Sequence, residues 1–182
     1  FIHTGIYDKN RAFHTTISPS MDILVSSNLE RLLHMLSGDK QTAEFMRQLN
    51  TAGSYDVGEA LKTKIGADFS AQCCDDDATR AMVAKVWSEC GYLIDTHTAV
   101  AVNVMEQYRA ATGDETVTVF VSTASPYKFC DHVLAAVGHE PAGDGVELLD
   151  QLHEVSGVAV PRRLAELRGK ERRFHLDCQK QE

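Results

Sequence analysis

Two short runs carry side chains that could bind or orient a small molecule. Ser122-Thr123-Ala124-Ser125 offers three hydroxyls directly after the β-rich run Thr116-Val117-Thr118-Val119-Phe120-Val121. Asp95-Thr96-His97-Thr98 sets a carboxylate, an imidazole and two hydroxyls after the apolar triplet Tyr92-Leu93-Ile94. In layered α/β folds, ligands collect outside the carboxyl ends of strands, where helix N-termini present free N–H groups. The same residue types also serve as helix caps and Ser/Thr turns, so spacing alone leaves both roles open. Other signatures are missing: no G-x-S-x-G elbow, no Walker loop and no G-x-G-x-x-G behind a strand. The run Asp75-Asp76-Asp77 is better suited to the positive end of a helix than to a metal. No C-x-x-C spacing occurs among Cys73, Cys74, Cys90, Cys130 and Cys178, so no metal centre is expected.

The elements that would position these runs follow from caps and periodicity. Ser27-Asn28-Leu29-Glu30 has capping-box spacing, with Leu29, Leu32, Leu33 and Leu36 behind it and Gly38 to stop the helix. Asp39 then caps a second helix that runs to Gly53, and Asp56 with Glu59 opens a shorter one. Phe69 to Cys73 suits a strand or an extended link, and a helix starting at the Asp75 run reaches Cys90. Tyr92-Leu93-Ile94 is predicted as a short strand, with Asp95 capping a helix from His97 to Thr112 that Gly113 closes. The Thr116–Val121 run, nearly continuous in apolar and β-branched residues, predicts a strand buried on both faces. Pro126 suits the first turn of a helix ending at Gly138, and two short helices follow, Gly145–Ser156 and Pro161–Arg168. Alternating strands and helices with short links imply a helix-rich α/β fold whose few short strands are mostly parallel.

Bulk properties narrow the class further. The chain has 182 residues, 43% of them hydrophobic, enough for one substantial core. Its formal net charge of −8 and interleaved signs argue against a nucleic-acid partner. The basic stretch Arg162 to Arg173, broken by Glu166 and Glu171, has the pattern of a solvated helix face. No apolar run is long enough to span a bilayer, and no membrane partner is expected. An odd set of cysteines without a leader suits reduced thiols and a cytoplasmic location. The opening Phe1-Ile2-His3-Thr4-Gly5 has no initiator methionine, so the chain is expected to be part of something longer.

Four segments carry a resemblance. Ser18-Pro19-Ser20-Met21-Asp22-Ile23 through Ser26-Ser27-Asn28-Leu29-Glu30-Arg31 resembles the "PSMDI–SSN–ER" stretch of threonine synthases, and Thr4-Gly5-Ile6-Tyr7-Asp8 their preceding "TGxYD". Asp95-Thr96-His97-Thr98-Ala99-Val100-Ala101 is similar to the "DxHTAVA" element, and Ser122 to Phe129 to "STAxPxKF". Order and rough spacing agree from residue 3 to about residue 160. The resemblance divides the chain into residues 1–160, the C-terminal part of that fold, and 161–182, a terminal helix and tail.

The resemblance implies a C-terminal fragment of a fold-type-II pyridoxal-phosphate enzyme that converts O-phospho-L-homoserine and water to L-threonine and phosphate. The family's Schiff-base lysine and phosphate-binding loop lie upstream of the matched region. None of the eight lysines here has that context, Lys128 belonging to the "STAxPxKF" element, so no catalytic residue is assigned and the isolated fragment is expected to be inactive. Fold-type-II enzymes set a serine or threonine hydroxyl against the cofactor's pyridine nitrogen; the resemblance assigns that role to Thr123, with Ser122 as the alternative. Asp95, His97 and Thr98 are candidates to line the site, His97 equally for capping. Rival readings are a threonine-synthase-like phospho-lyase and a non-catalytic α/β interaction module. Oligomeric state is not legible in the sequence.

Overall fold

A computed structural model describes residues 1–171, 173, 174 and 176. Arg172, within the basic stretch, Cys178 and the end of the 161–182 tail lie outside the described residues. In chain order the elements are strand β1 (Ile6–Asp8), helix α1 (Ser27–Thr51), strand β2 (Ser54–Asp56), then α2 (Gly58–Asp68), α3 (Asp76–Cys90), α4 (Thr96–Thr112), α5 (Cys130–Ala136), α6 (Gly145–Ser156) and α7 (Arg162–Ala165).

The fold is helix-rich with one small sheet; α1 opens on Ser26, which accepts from Leu29 N one residue before the expected Ser27 box, and α2 starts after Val57 with no side-chain cap. Asp75 accepts from Ala78 N to open α3, and Asp95 accepts from His97 N and Thr98 N to open α4. Gly91 and Gly113 end these helices in the left-handed conformation, which glycine adopts without a Cβ penalty. Asp144 and Glu147 form the reciprocal capping box of α6. The stop at Gly38 is real: its φ of 76° breaks α1 into the two helical stretches that the sequence separates there.

Three strand expectations are corrected. The only ladder among the described residues is antiparallel, β1 against β2 with Tyr7 opposite Tyr55, where parallel pairing was expected. Tyr92-Leu93-Ile94 is no strand; Leu93 and Ile94 drop into the core from an irregular segment. Thr116–Val121 has no strand partner, and Val117, Val119 and Val121 are 89%, 84% and 80% exposed rather than buried. Apolar, β-branched composition registers the need for a partner sheet, and nothing among the described residues supplies one. Two helices also come out shorter: Pro126–Lys128 is a 3₁₀ turn ahead of α5, and α7 is a single turn.

Two apolar clusters form. One joins Met82 and Val83 of α3, Ala99 of α4, Val133 and Leu134 of α5 and Leu149 and Leu152 of α6. The other stacks Tyr7 on Tyr55 and Tyr55 on Phe45, centroids 5.4 and 5.2 Å apart, over Leu33, Leu49 and Ile65. Residues 9–26 are strung between them. At one end the Tyr7 hydroxyl donates to Leu24 O and accepts from Ser26 N; at the other, Ile17–Ser20 is fastened to the N-termini of α3 and α4.

Candidate cofactor-edge site

The N-terminus of α4 is built around a buried carboxylate. Asp95 is fully buried, and Thr96, His97 and Thr98 are nearly so. Asp95 Oδ1 accepts from His97 N at 2.9 Å and Thr98 N at 3.4 Å, and Oδ2 accepts from Thr98 Oγ1 at 2.5 Å. A carboxylate can be buried here because helix N–H donors and a hydroxyl replace its lost water.

The hydroxyl chain continues outward. Thr98 Oγ1 lies 2.8 Å from Ser122 Oγ. Thr98 has one hydroxyl proton, and it is directed at Asp95, so the Ser122 hydroxyl must donate to Thr98. Ser122 therefore has its proton turned inward, toward α4. Thr123 is exposed, and its hydroxyl has no partner among the described residues. Of two adjacent hydroxyls, one is tied into the protein and one is free to donate outward.

His97 has a second set of partners. Its Nε2 accepts from Ser20 N at 3.1 Å, which places the ring proton on Nδ1, 3.2 Å from Asp95 Oδ1. The ring packs against Phe129 at 4.8 Å between centroids. Thr96 Oγ1 meanwhile donates to Ile17 O at 2.9 Å. His97 and Thr96 thus fasten the Ile17–Ser20 segment, some 77 residues away in sequence. Sequence reasoning gave Ile17 and Ser20 no role, because both tethers run through main-chain atoms that carry no residue signature. It also gave Asp76 only to the α3 dipole, whereas its Oδ1 accepts from Ile17 N at 3.1 Å. Among the described residues no group of three or more metal-ligating side chains converges, and no helix is long and apolar enough to cross a membrane.

Comparison with known proteins meets this geometry. The family described as threonine synthase, C-terminal, matches residues 98–179, a stretch that includes Thr98, Ser122 and Thr123. The chain belongs to the threonine synthase family, to its C-terminal portion. Its similarity to threonine synthase from Pseudomonas aeruginosa is 36% identity over 145 residues, covering 78% of this chain and 30% of that relative. Threonine synthase-like 1 of Macaca fascicularis is 37% identical over 141 residues, 75% of this chain and 18% of the relative. The chain thus spans less than a third of the length of these relatives. Among solved structures, the pyridoxal-phosphate-bound threonine synthase of Brucella melitensis superposes with a TM-score of 0.68 at 35% identity, over 84% of this chain and 32% of that one.

Proposed function

We propose that this chain supplies the pyridine-side edge of the cofactor site in a pyridoxal-phosphate enzyme that converts O-phospho-L-homoserine and water to L-threonine and phosphate. Pyridoxal phosphate, when bound, supplies an electron sink for charge developing on the substrate's carbons. The observation that carries the reading is the different bonding of two neighbouring hydroxyls, Ser122 engaged with Thr98 and Thr123 unengaged among the described residues. Ser122 donates inward to Thr98, and Thr98 to Asp95, so the loop after residue 121 is held in one conformation. Thr123 is left with an unspent O–H on the exposed side.

Each residue then has a defined task. Thr123 would donate a hydrogen bond to the neutral pyridine nitrogen and so hold the ring's edge. A neutral donor leaves that nitrogen unprotonated and moderates the sink, which suits elimination and addition at the β and γ carbons. Ser122, Thr98 and Asp95 act as positioning residues, and His97 with Ser20 holds the loop that flanks them. The Schiff-base lysine and the cofactor's phosphate loop are assigned to the remainder of the longer protein, as is closure against water.

The test is Thr123→Val in the complete protein. It keeps the shape and removes the donor, at about 1 kcal/mol for the bond plus about 1–3 kcal/mol for an unsatisfied nitrogen in a closed site. At roughly 1.4 kcal/mol per decade, cofactor affinity and turnover should fall about thirty-fold to several hundred-fold. Wild-type binding and phosphate release in this variant, with Ser122→Ala crippled, would move the role to Ser122.

A further inference from the structure

Residues 1–68 and residues 69–171 are tied together through one short segment. The apolar clusters of the two halves share no member. Within residues 1–171, no ion pair crosses between the halves, and every hydrogen bond that does cross lands on Ile17 or Ser20. Asp76 Oδ1 accepts from Ile17 N at 3.1 Å, Thr96 Oγ1 donates to Ile17 O at 2.9 Å, and His97 Nε2 accepts from Ser20 N at 3.1 Å. Of carboxylate, hydroxyl and imidazole, only the imidazole ordinarily changes charge between about pH 5 and 8.

The His97 bond exists in one protonation state of the ring. A neutral imidazole has one N–H and one bare nitrogen. Here Nδ1 carries the proton, 3.2 Å from Asp95 Oδ1, and the bare Nε2 faces the Ser20 amide. A second proton has only Nε2 to go to. The ring then presents an N–H to the Ser20 N–H, and two donors face each other with no acceptor between them. The ring is 7% exposed and packs on Phe129, so it is poorly placed to turn away. Ser20 is exposed, and its amide can pass to water instead.

The charges around the ring permit that second proton. Asp95 lies within ion-pair distance and meets the added charge while keeping its bond to Nδ1. Asp22, on the tethered segment, is taken by Thr16 N and Thr16 Oγ1, and Asp76 at the start of α3 by Ile17 N. Lys128, on the turn before Phe129, is exposed and forms no ion pair among the described residues. Asp131 and His132 of α5 face each other at 3.8 Å.

We propose that His97 is a proton-operated latch between the two halves: the neutral ring holds Ser20 against α4, and a second proton releases it. The hold is complete at higher pH and is lost as pH falls, which leaves Ile17 as the remaining hydrogen-bonded tie. The latch operates whichever reaction the cofactor edge serves.

The experiment is amide hydrogen exchange in the complete protein, resolved to single residues by mass spectrometry between about pH 8 and pH 5 and corrected for intrinsic exchange rates. Exchange of the carbon-bound imidazole hydrogen in the same samples reports the charge on His97. Protection of the Ser20 amide should fall at least about ten-fold, with the midpoint at which His97 gains charge, while Ile17 keeps its protection. A glutamine oxygen can accept from Ser20 N and cannot take up a proton in this range, so His97→Gln should hold Ser20 throughout. Flat Ser20 protection while His97 becomes charged, or a ring that stays neutral down to about pH 5, overturns the latch. Equal loss at Ile17 and Ser20 marks general acid unfolding and overturns it too, as does a wild-type pH profile in His97→Gln. All but the last of these are read on the wild-type protein and stand even if the variant fails to fold.

Discussion

Thr98→Val is the perturbation whose size the geometry constrains best. Valine preserves the branched shape, so the change is confined to one hydroxyl in a nearly fully buried position. That hydroxyl donates to Asp95 Oδ2 at 2.5 Å and accepts from Ser122 at 2.8 Å. Without it Oδ2 loses the one protein donor it has, while Oδ1 keeps the two α4 amides and His97 Nδ1. A hydrogen bond to a charged, buried acceptor contributes about 1.5–3 kcal/mol. Ser122 is exposed and can turn to water, so its side of the loss adds little. The net expectation is a destabilisation of about 2–3 kcal/mol, or roughly 4–12 °C in Tm for a chain of this length. Urea melts of wild type, Thr98→Val, Thr98→Ser and Thr123→Val would measure it. Serine should recover most of the loss, and Thr123→Val should stay within about 0.5 kcal/mol of wild type, as a surface substitution does. If Thr98→Val melts with wild type, the hydroxyl chain does not anchor this loop. If serine fails as badly as valine, the methyl group matters and the hydrogen bond does not.

Other outcomes follow from the same structure. Burial pushes the Cys130 thiol up from 9.0 to about 11, so the folded chain holds its proton where the unfolded chain has lost it. That contribution is complete below pH 9 and is lost as pH rises toward 11, about 2–3 kcal/mol in all; Cys130→Ser should flatten the decline in an alkaline denaturation series. Val119→Lys should reduce self-association of the isolated chain, seen by light scattering, without lowering Tm, because Val119 stands on an exposed, unpaired extended segment. Gly53→Ala should destabilise by about 1 kcal/mol or more in a urea melt, since its φ of 81° disfavours a side chain and the new Cβ would meet Asn10.

Local chemistry was legible in the sequence to within a residue or two. Asp75 and Asp95 announced α3 and α4, Gly113 closed α4, and Gly145 with Ser156 bounded α6, because a cap is a decision made within one turn. Strands were not legible, because a strand is defined by a partner. Val117, Val119 and Val121 have the composition of a buried strand and stand exposed, while the paired β1 and β2 are three residues each and carry little pattern. The site divides the same way. Asp95 as a cap and Thr123 as an available hydroxyl could be read from motif and resemblance. The inward turn of Ser122 toward Thr98 and the tether from His97 to Ser20 depend on contacts across 24 and 77 residues. Ser18 looked like one serine among several until its hydroxyl proved buried and unpaired.

The central claim is that Thr123, and not Ser122, meets the pyridine nitrogen of the cofactor. The most direct measurement is the ¹⁵N chemical shift of that nitrogen, with ring-labelled pyridoxal phosphate bound to the complete protein. The account predicts the signature of a neutral, hydrogen-bonded nitrogen in the wild type, moving to the unbonded position in Thr123→Val and holding in Ser122→Ala. A shift that ignores Thr123→Val and follows Ser122→Ala, or a wild-type nitrogen that is fully protonated, would contradict it.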